Sequence, residues 1–234
     1  MSTSAQPVVL ISCAVFQHLL EDMLPPELAT DVTFLDYGLH QVPKNLKATV
    51  QKTIDSVAEP SLIVLGYGLC GNGLNGIAAG PHTLLVSRAD DCISILMGSY
   101  DTYLHEFNSN PGTYYLTKGW LESGSDPLKE YHSMVDKYGA ETAEWLMDEQ
   151  YQNYKRLVLI AHTQVDLEKY RPRAKEVAKY CERWGMEYSE LLGSDAYVGG
   201  LVKAITTVQE SNDDFLVIPP GGVLKQSQFI RIQL

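Results

Sequence analysis

The sequence predicts an α/β protein, an open and mostly parallel sheet with helices on both faces. Three observations carry this. Short apolar runs of strand length recur at 8–12 (VVLIS), 61–65 (SLIVL), 83–87 (TLLVS), 157–161 (LVLIA) and 215–218 (FLVI), and runs without polar alternation are what strands buried on both faces look like. Helical stretches lie between them, as at 44–57, where Leu46, Val50, Ile54 and Val57 recur at spacings of three and four. The joints carry glycine and proline, which punctuate regular structure. Strand and helix in alternation call for parallel strands joined by helical crossovers.

Taken in order, the first strand at 8–12 runs into Cys13 and a helix over 15–23, which Pro25 and Pro26 stop. A second strand is expected at 32–35, leading to Tyr37–His40, and the amphipathic helix at 44–57 follows. The third strand, 61–65, opens into a glycine-dense loop over Gly66–Gly73. The fourth, 83–87, ends in Arg88-Ala89-Asp90-Asp91-Cys92 and then a helix. Residues 100–154 are more helical and aromatic, with a strand at 114–117 and two helices over 126–154 broken near Gly139. Beyond them lie the strand at 157–161, a long helix over 166–184, a strand at 187–192, a helix over 194–210 and the last strand at 215–218, closed by Pro219-Pro220-Gly221-Gly222. The pattern suggests one α/β domain over 7–222. Its two Rossmann-like halves, 7–117 and 155–222, flank a helical insert at 118–154, and a tail without pattern follows at 223–234.

Composition narrows the function classes. Hydrophobic residues make up 45% of the 234 and charged residues 20%, an ordinary globular balance. A formal net charge of −11, from 29 acidic and 18 basic residues, repels phosphate backbones and anionic lipid. Nucleic acid and membrane are therefore not expected partners. No apolar run reaches bilayer-spanning length and Met1–Gln6 lacks a basic signal-like stretch, so the expected location is the cytoplasm.

In that reducing compartment the four cysteines are expected as thiols rather than disulfides. Functional residues of open α/β sheets gather outside the carboxyl ends of the strands. Cys13, Cys70 and Cys92 each follow a predicted strand, which places all three on one sheet edge although no CxxC spacing links them. Converging thiolates suit zinc, copper(I) or an iron–sulfur cluster, and three of them leave one metal position open for a small molecule. Gly66, Gly68 and Gly71 around Tyr67 and Cys70 would let backbone N–H groups approach such a core. The plain alternative is that each cysteine is a small buried hydrophobe, and packing alone accounts for Cys181 in its helix.

Other candidates are weaker. Gly66-Tyr67-Gly68-Leu69-Cys70-Gly71 matches GxGxxG after a strand, but no helical pattern opens there as a dinucleotide site requires. His40 and His162 each follow a strand and are candidates for a fourth ligand, an acid–base group or a cofactor contact. Arg88 is placed to pair with Asp90 and Asp91 or to balance the negative charge of a cluster.

Cys13 together with the strings YGLCGNGLNGI (67–77), SRADDCISILMGS (87–99) and TYYLTKGWLES (113–123) resembles the DUF1638 family, over most of the chain from about 8 to 222. The resemblance implies that Cys13, Cys70 and Cys92 belong together. It also implies a context: such proteins look like companions of corrinoid-dependent methyltransferase systems, with a corrinoid protein or methyltransferase as partner. The leading expectation is therefore a metal-binding protein with an iron–sulfur cluster, of 4Fe–4S type, on Cys13, Cys70 and Cys92, handling electrons or cofactor in one-carbon metabolism. A zinc-thiolate methyltransferase-like enzyme and a metal-free module that binds corrinoid or another small molecule are the alternatives.

Overall fold

A computed structural model describes residues 6–207 and 209–231. The chain forms two compact units, 1–100 with 195–234, and 101–194. The units therefore divide near 100 and 194 rather than at the lobe limits of 7–117 and 155–222. Strand pairing is the reason: the strand at 113–117 joins those that follow it, and the last strand returns to the first sheet.

The first unit holds β1 (Val8–Cys13), β2 (Asp31–Leu35), β3 (Leu62–Gly66), β4 (Thr83–Ser87) and β8 (Phe215–Ile218). Their order is β2-β1-β3-β4-β8, parallel except for β8, which runs antiparallel to β4. Alternate strand residues serve the two faces, and both faces are apolar. Val9, Ile11, Ile63, Leu65, Leu84 and Val86 pack with Leu46, Val50 and Ile54 of α2 (Pro43–Asp55) in one buried cluster. Each of those three fully buried helix side chains contributes roughly 1.5–3 kcal/mol of hydrophobic stabilisation. Gly66 and Ser87 on the other face share a small apolar-lined space with Phe16, Leu20 of α1 (Gln17–Met23), Ile95 of α3 (Cys92–Leu96), and Val198 and Leu201 of α9 (Ala196–Thr207). Burial on both sides explains why β1, β3 and β4 read as unbroken apolar runs.

The tail, which has no pattern in the sequence, packs onto the first unit. Leu224 is fully buried and exchanges backbone hydrogen bonds with Gly76 and Ile77, and Phe229 joins the same core as α2. Leu224 and Phe229 stand five positions apart, at neither the strand nor the helix period, so they leave no pattern to read.

The second unit is a parallel sheet in the order β5-β6-β7, from β5 (Thr113–Thr117), β6 (Arg156–Ala161) and β7 (Glu187–Leu192). Around it lie α4 (Tyr100–Ser109), α5 (Lys118–Ser123), α6 (Pro127–Tyr138), α7 (Ala140–Tyr151) and α8 (Gln164–Cys181). Cys181 is fully buried in its core beside Leu159, Met147 and Val177, in keeping with a packing role. Asp126 caps α6 by accepting from the Lys129 N–H at 3.0 Å, and Pro127 takes the first helical position, where its missing N–H costs nothing. Among the described residues no helix is long and apolar enough to cross a membrane.

Two outcomes follow for this unit. Asp126 is fully buried and also meets Arg173 Nη2 at 3.0 Å. Asp126→Ala therefore removes a cap and a charge partner together, and urea denaturation is expected to show a loss of about 2–3 kcal/mol. The Arg171 fork grips Glu190 through bonds of 2.7 and 2.8 Å and holds its carboxyl below the ordinary range. A depressed folded-state pKa gives stability that is present above the ordinary glutamate value and is lost as pH falls through the lowered one. In acid titrations of stability, Glu190→Gln should flatten this part of the loss and leave the neutral-pH slope unchanged.

Candidate functional site

The strand order 2-1-3-4 reverses direction between β1 and β3, and in open α/β sheets the carboxyl ends of the strands at such a switch point are where ligands generally bind. Cys13 is the last residue of β1, paired with Leu35 of β2, and its neighbour Ser12 pairs with Gly66 of β3. Tyr67 follows Gly66 directly, and Cys70 lies four residues beyond β3. Cys92 opens α3, five residues beyond β4. Cys13, Cys70 and Cys92 thus come from three adjacent strands at one edge of the sheet.

Glycine is needed twice to build this edge. A Cβ on Gly66 would fall 2.2 Å from the Ser12 hydroxyl oxygen, which donates to the Gly66 carbonyl at 3.1 Å. A Cβ on Gly68 would fall 2.9 Å from backbone atoms of Ala89 and Asp91. Without it the two loops meet backbone to backbone: Leu69 N–H donates to the Ala89 carbonyl at 2.8 Å and Cys70 N–H to that of Asp90 at 2.9 Å. This seam carries Cys70 to Cys92. Cys70, Gly71 and Asn72 then take positive φ of 48°, 61° and 71° in succession. A left-handed cysteine is uncommon, and such backbone is held only where its surroundings fix it, most often at functional sites.

The three thiols are free, half-buried residues whose sulfurs act on one another electrostatically. Burial raises the Cys13 pKa to about 11; the Val15 N–H opposes this and the Asp36 carboxylate adds to it. Burial also pushes Cys70 up, followed by Asp91 and Cys13, against the N–H groups of Gly68 and Cys92. Cys92 is raised by burial and then by Asp91, Cys70 and Cys13. The thiols therefore stand neutral, each with backbone N–H groups turned towards its sulfur. Beside them Asp91 caps α3, accepting from Ile93 N–H at 2.8 Å and Ser94 N–H at 3.3 Å, and burial raises its own pKa. Among the described residues no three or more His, Cys, Asp or Glu side chains stand arranged to hold a metal ion.

The remaining candidates have different places. Gly71 borders Pro43 at the start of α2. His40 lies in a short 3-10 turn over Tyr37–Gln41, its Nδ1 2.5 Å from the Tyr37 carbonyl. His162 follows β6 in the second unit, whereas the thiols belong to the first. Arg88 turns towards the chain terminus: its guanidinium donates to the carbonyls of Asn212 at 3.3 Å and Ile230 at 2.8 Å, and its nearest acid is Asp213 at 3.9 Å. The end of β4 is held to the tail this way, and Arg231 returns the bond to the Arg88 carbonyl at 3.0 Å. Sequence reasoning missed Asp36, whose carboxylate accepts from Gly38 N–H at 2.7 Å and lies within electrostatic reach of Cys13 and Tyr67. Its signal was an Asp-x-Gly turn directly after a strand.

A family model described as protein of unknown function (DUF1638) matches residues 34–195, well over half of the chain. The match takes in Cys70 and Cys92 and begins after Cys13. No curated protein and no solved structure matches the chain.

At Gly68 an added side chain would meet backbone, which cannot turn aside as a flexible side chain can. Gly68→Ala forces a methyl group against the backbone of residues 89–91, and a cost of about 1–3 kcal/mol in chemical denaturation is expected. Thiol accessibility to a maleimide reagent should rise in parallel at Cys70 and Cys92, while Cys181 in the second unit stays protected.

Proposed function

The chain belongs to the DUF1638 family, and we propose that it is a cytoplasmic metal-binding protein carrying an iron–sulfur cluster on Cys13, Cys70 and Cys92. Its role is accessory: it handles electrons or cofactor in corrinoid-dependent methyl metabolism, with a corrinoid protein or methyltransferase as partner. The observation that carries the metal reading is the convergence of three thiols from three strand ends at the switch point, each faced by backbone N–H groups. The corrinoid context rests on the resemblance of the chain to companions of such systems.

Two observations support the reading, although among the described residues no ligand group stands ready for a metal ion. Three soft sulfur donors and no hard ligand set between them select thiophilic metals. The Tyr67 hydroxyl is buried at the same edge without a hydrogen-bond partner, a polar atom that the protein alone leaves unsatisfied. Burial first, and then the negative charge of Asp91 and of the neighbouring thiolates, keeps the sulfurs of Cys70 and Cys92 protonated, and a bound cation would oppose that shift. A cluster would supply single electrons at low potential. The chain's own part is to hold it at the switch point between β1 and β3, to turn the N–H groups of Val15, Gly68 and Cys92 towards the sulfurs, and to limit water.

A second reading is supported by the neutral thiols and by the lack of a ready ligand group among the described residues. In it the same strand ends take a small molecule such as a corrinoid, with the cysteines as packing. Zinc on the three thiols, with one open position, is the remaining form of the metal reading.

Anaerobic purification followed by a visible spectrum and iron, sulfide and zinc analysis separates these. The proposal expects broad thiolate-to-iron absorbance with matching iron and sulfide, and loss of both when Cys13, Cys70 and Cys92 are changed to Ser. A colourless protein with one zinc supports the zinc form. A colourless, metal-free protein that binds free corrinoid equally well with and without the three thiols contradicts the metal reading.

A further inference from the structure

The first sheet ends on β2, which pairs with β1 on one side and, among the described residues, with no strand on the other. The free N–H and C=O groups of an edge strand are a template for another chain, so soluble proteins commonly guard such edges with lysine, proline or a bulge. The five residues of β2, DVTFL, include neither lysine nor proline. The register with β1 runs unbroken from Val9 opposite Asp31 to Cys13 opposite Leu35, so no bulge turns the edge aside. Val32, in the strand, is 40% exposed.

Beside this edge lies an open groove of about 420 Å³, within the first unit. Leu20 of α1, the turn residues Leu24, Pro25 and Pro26, and Val32 and Phe34 of β2 line it. Val32 and Phe34 are two apart and so share one face of the strand. Apolar clefts of this size are where proteins take ligands. The charge around the groove has one sign. Glu21 lines it, and Asp22, Glu27 and Asp31, all exposed, each stand next in the chain to a lining residue. The sequence has no lysine or arginine before Lys44.

We propose that β2 and this groove form a docking surface for an extended, positively charged segment of a partner protein, with apolar residues at alternate positions. The segment adds to β2 as a further strand. Main-chain hydrogen bonds to the free edge supply affinity, and the apolar side chains enter the groove beside Val32 and Phe34. Long lysine or arginine side chains reach the acids at the rim, which also speed the encounter. A second copy of the chain is the wrong occupant: a symmetric pair of β2 edges sets these acids against their own images. The inference is independent of the metal reading, since none of the groove's lining residues is a cysteine.

The test titrates the full-length protein with short labelled peptides and follows fluorescence anisotropy. One peptide alternates valine and lysine, a second has the same side chains with methylated backbone amides, and a third carries glutamate for lysine. The first should bind and slow amide exchange over 31–35, the second should bind about tenfold more weakly, and the third should not bind. Val32→Lys guards the edge and Glu21→Lys reverses the rim charge. Both positions are exposed, so both variants should keep the natural unfolding midpoint and lose affinity for the first peptide. Equal binding of the plain and methylated peptides would reduce the effect to charge attraction and overturn the inference. So would failure of the first peptide to bind, or binding that neither substitution moves. A natural protein that dimerises and protects the amides of 31–35 without peptide would assign the edge to a second copy and also overturn it.

Discussion

The site depends on one contact, the backbone-to-backbone seam between the loop after β3 and the loop after β4. Two hydrogen bonds, from Leu69 and Cys70 N–H to the carbonyls of Ala89 and Asp90, form because residue 68 has no side chain. Everything at the edge is referred to that seam. It fixes the left-handed run at Cys70–Asn72, sets Asp91 in position to cap α3, and brings Cys70 beside Cys92. Sheet topology then adds Cys13, because β1 lies next to β3 in the parallel order.

A second constraint is electrostatic. The edge gathers three thiols, Asp36, Asp90 and Asp91, and burial raises both aspartates 90 and 91. Arg231 lies near enough to Asp90 to oppose its shift, but it also stacks on the Tyr100 ring at 3.9 Å and donates to the Arg88 carbonyl. Arg88 itself is spent on the tail carbonyls. Arg88 and Arg231 are thus engaged with the chain terminus, and the groups that lower the thiol pKa values are backbone N–H groups. Such an edge is of low dielectric and costly to charge negatively.

Much of this was legible in the sequence, and the reasons can be named. Strands buried on both faces leave unbroken apolar runs, so β1, β3, β4 and β6 could be placed, and a strand end is where an α/β sheet keeps its chemistry. Cys13, Cys70 and Cys92 are grouped on that ground, and the family resemblance implies the same grouping. What stayed hidden depends on long-range contacts. The return of β8 to the first sheet leaves no local mark, and neither does the partition of β5 with β6 and β7. Arg88 looks paired with Asp90 and Asp91 from its neighbours in the chain, yet the side chain turns to Ile230, more than a hundred residues away. Tyr67 stood out only as part of a glycine-rich string. Its unpartnered hydroxyl is a property of packing, which spacing cannot report.

The central claim is that the three thiols form one site. Anaerobic titration of the reduced protein with cobalt(II), followed by the sulfur-to-cobalt charge-transfer absorbance, measures this directly, because that intensity grows with the number of thiolates on each ion. The account predicts one ion bound with the intensity of three thiolates, and a fall to two in each of Cys13→Ser, Cys70→Ser and Cys92→Ser. No charge-transfer absorbance in the natural protein, or an intensity unmoved by any one of the three changes, would contradict it.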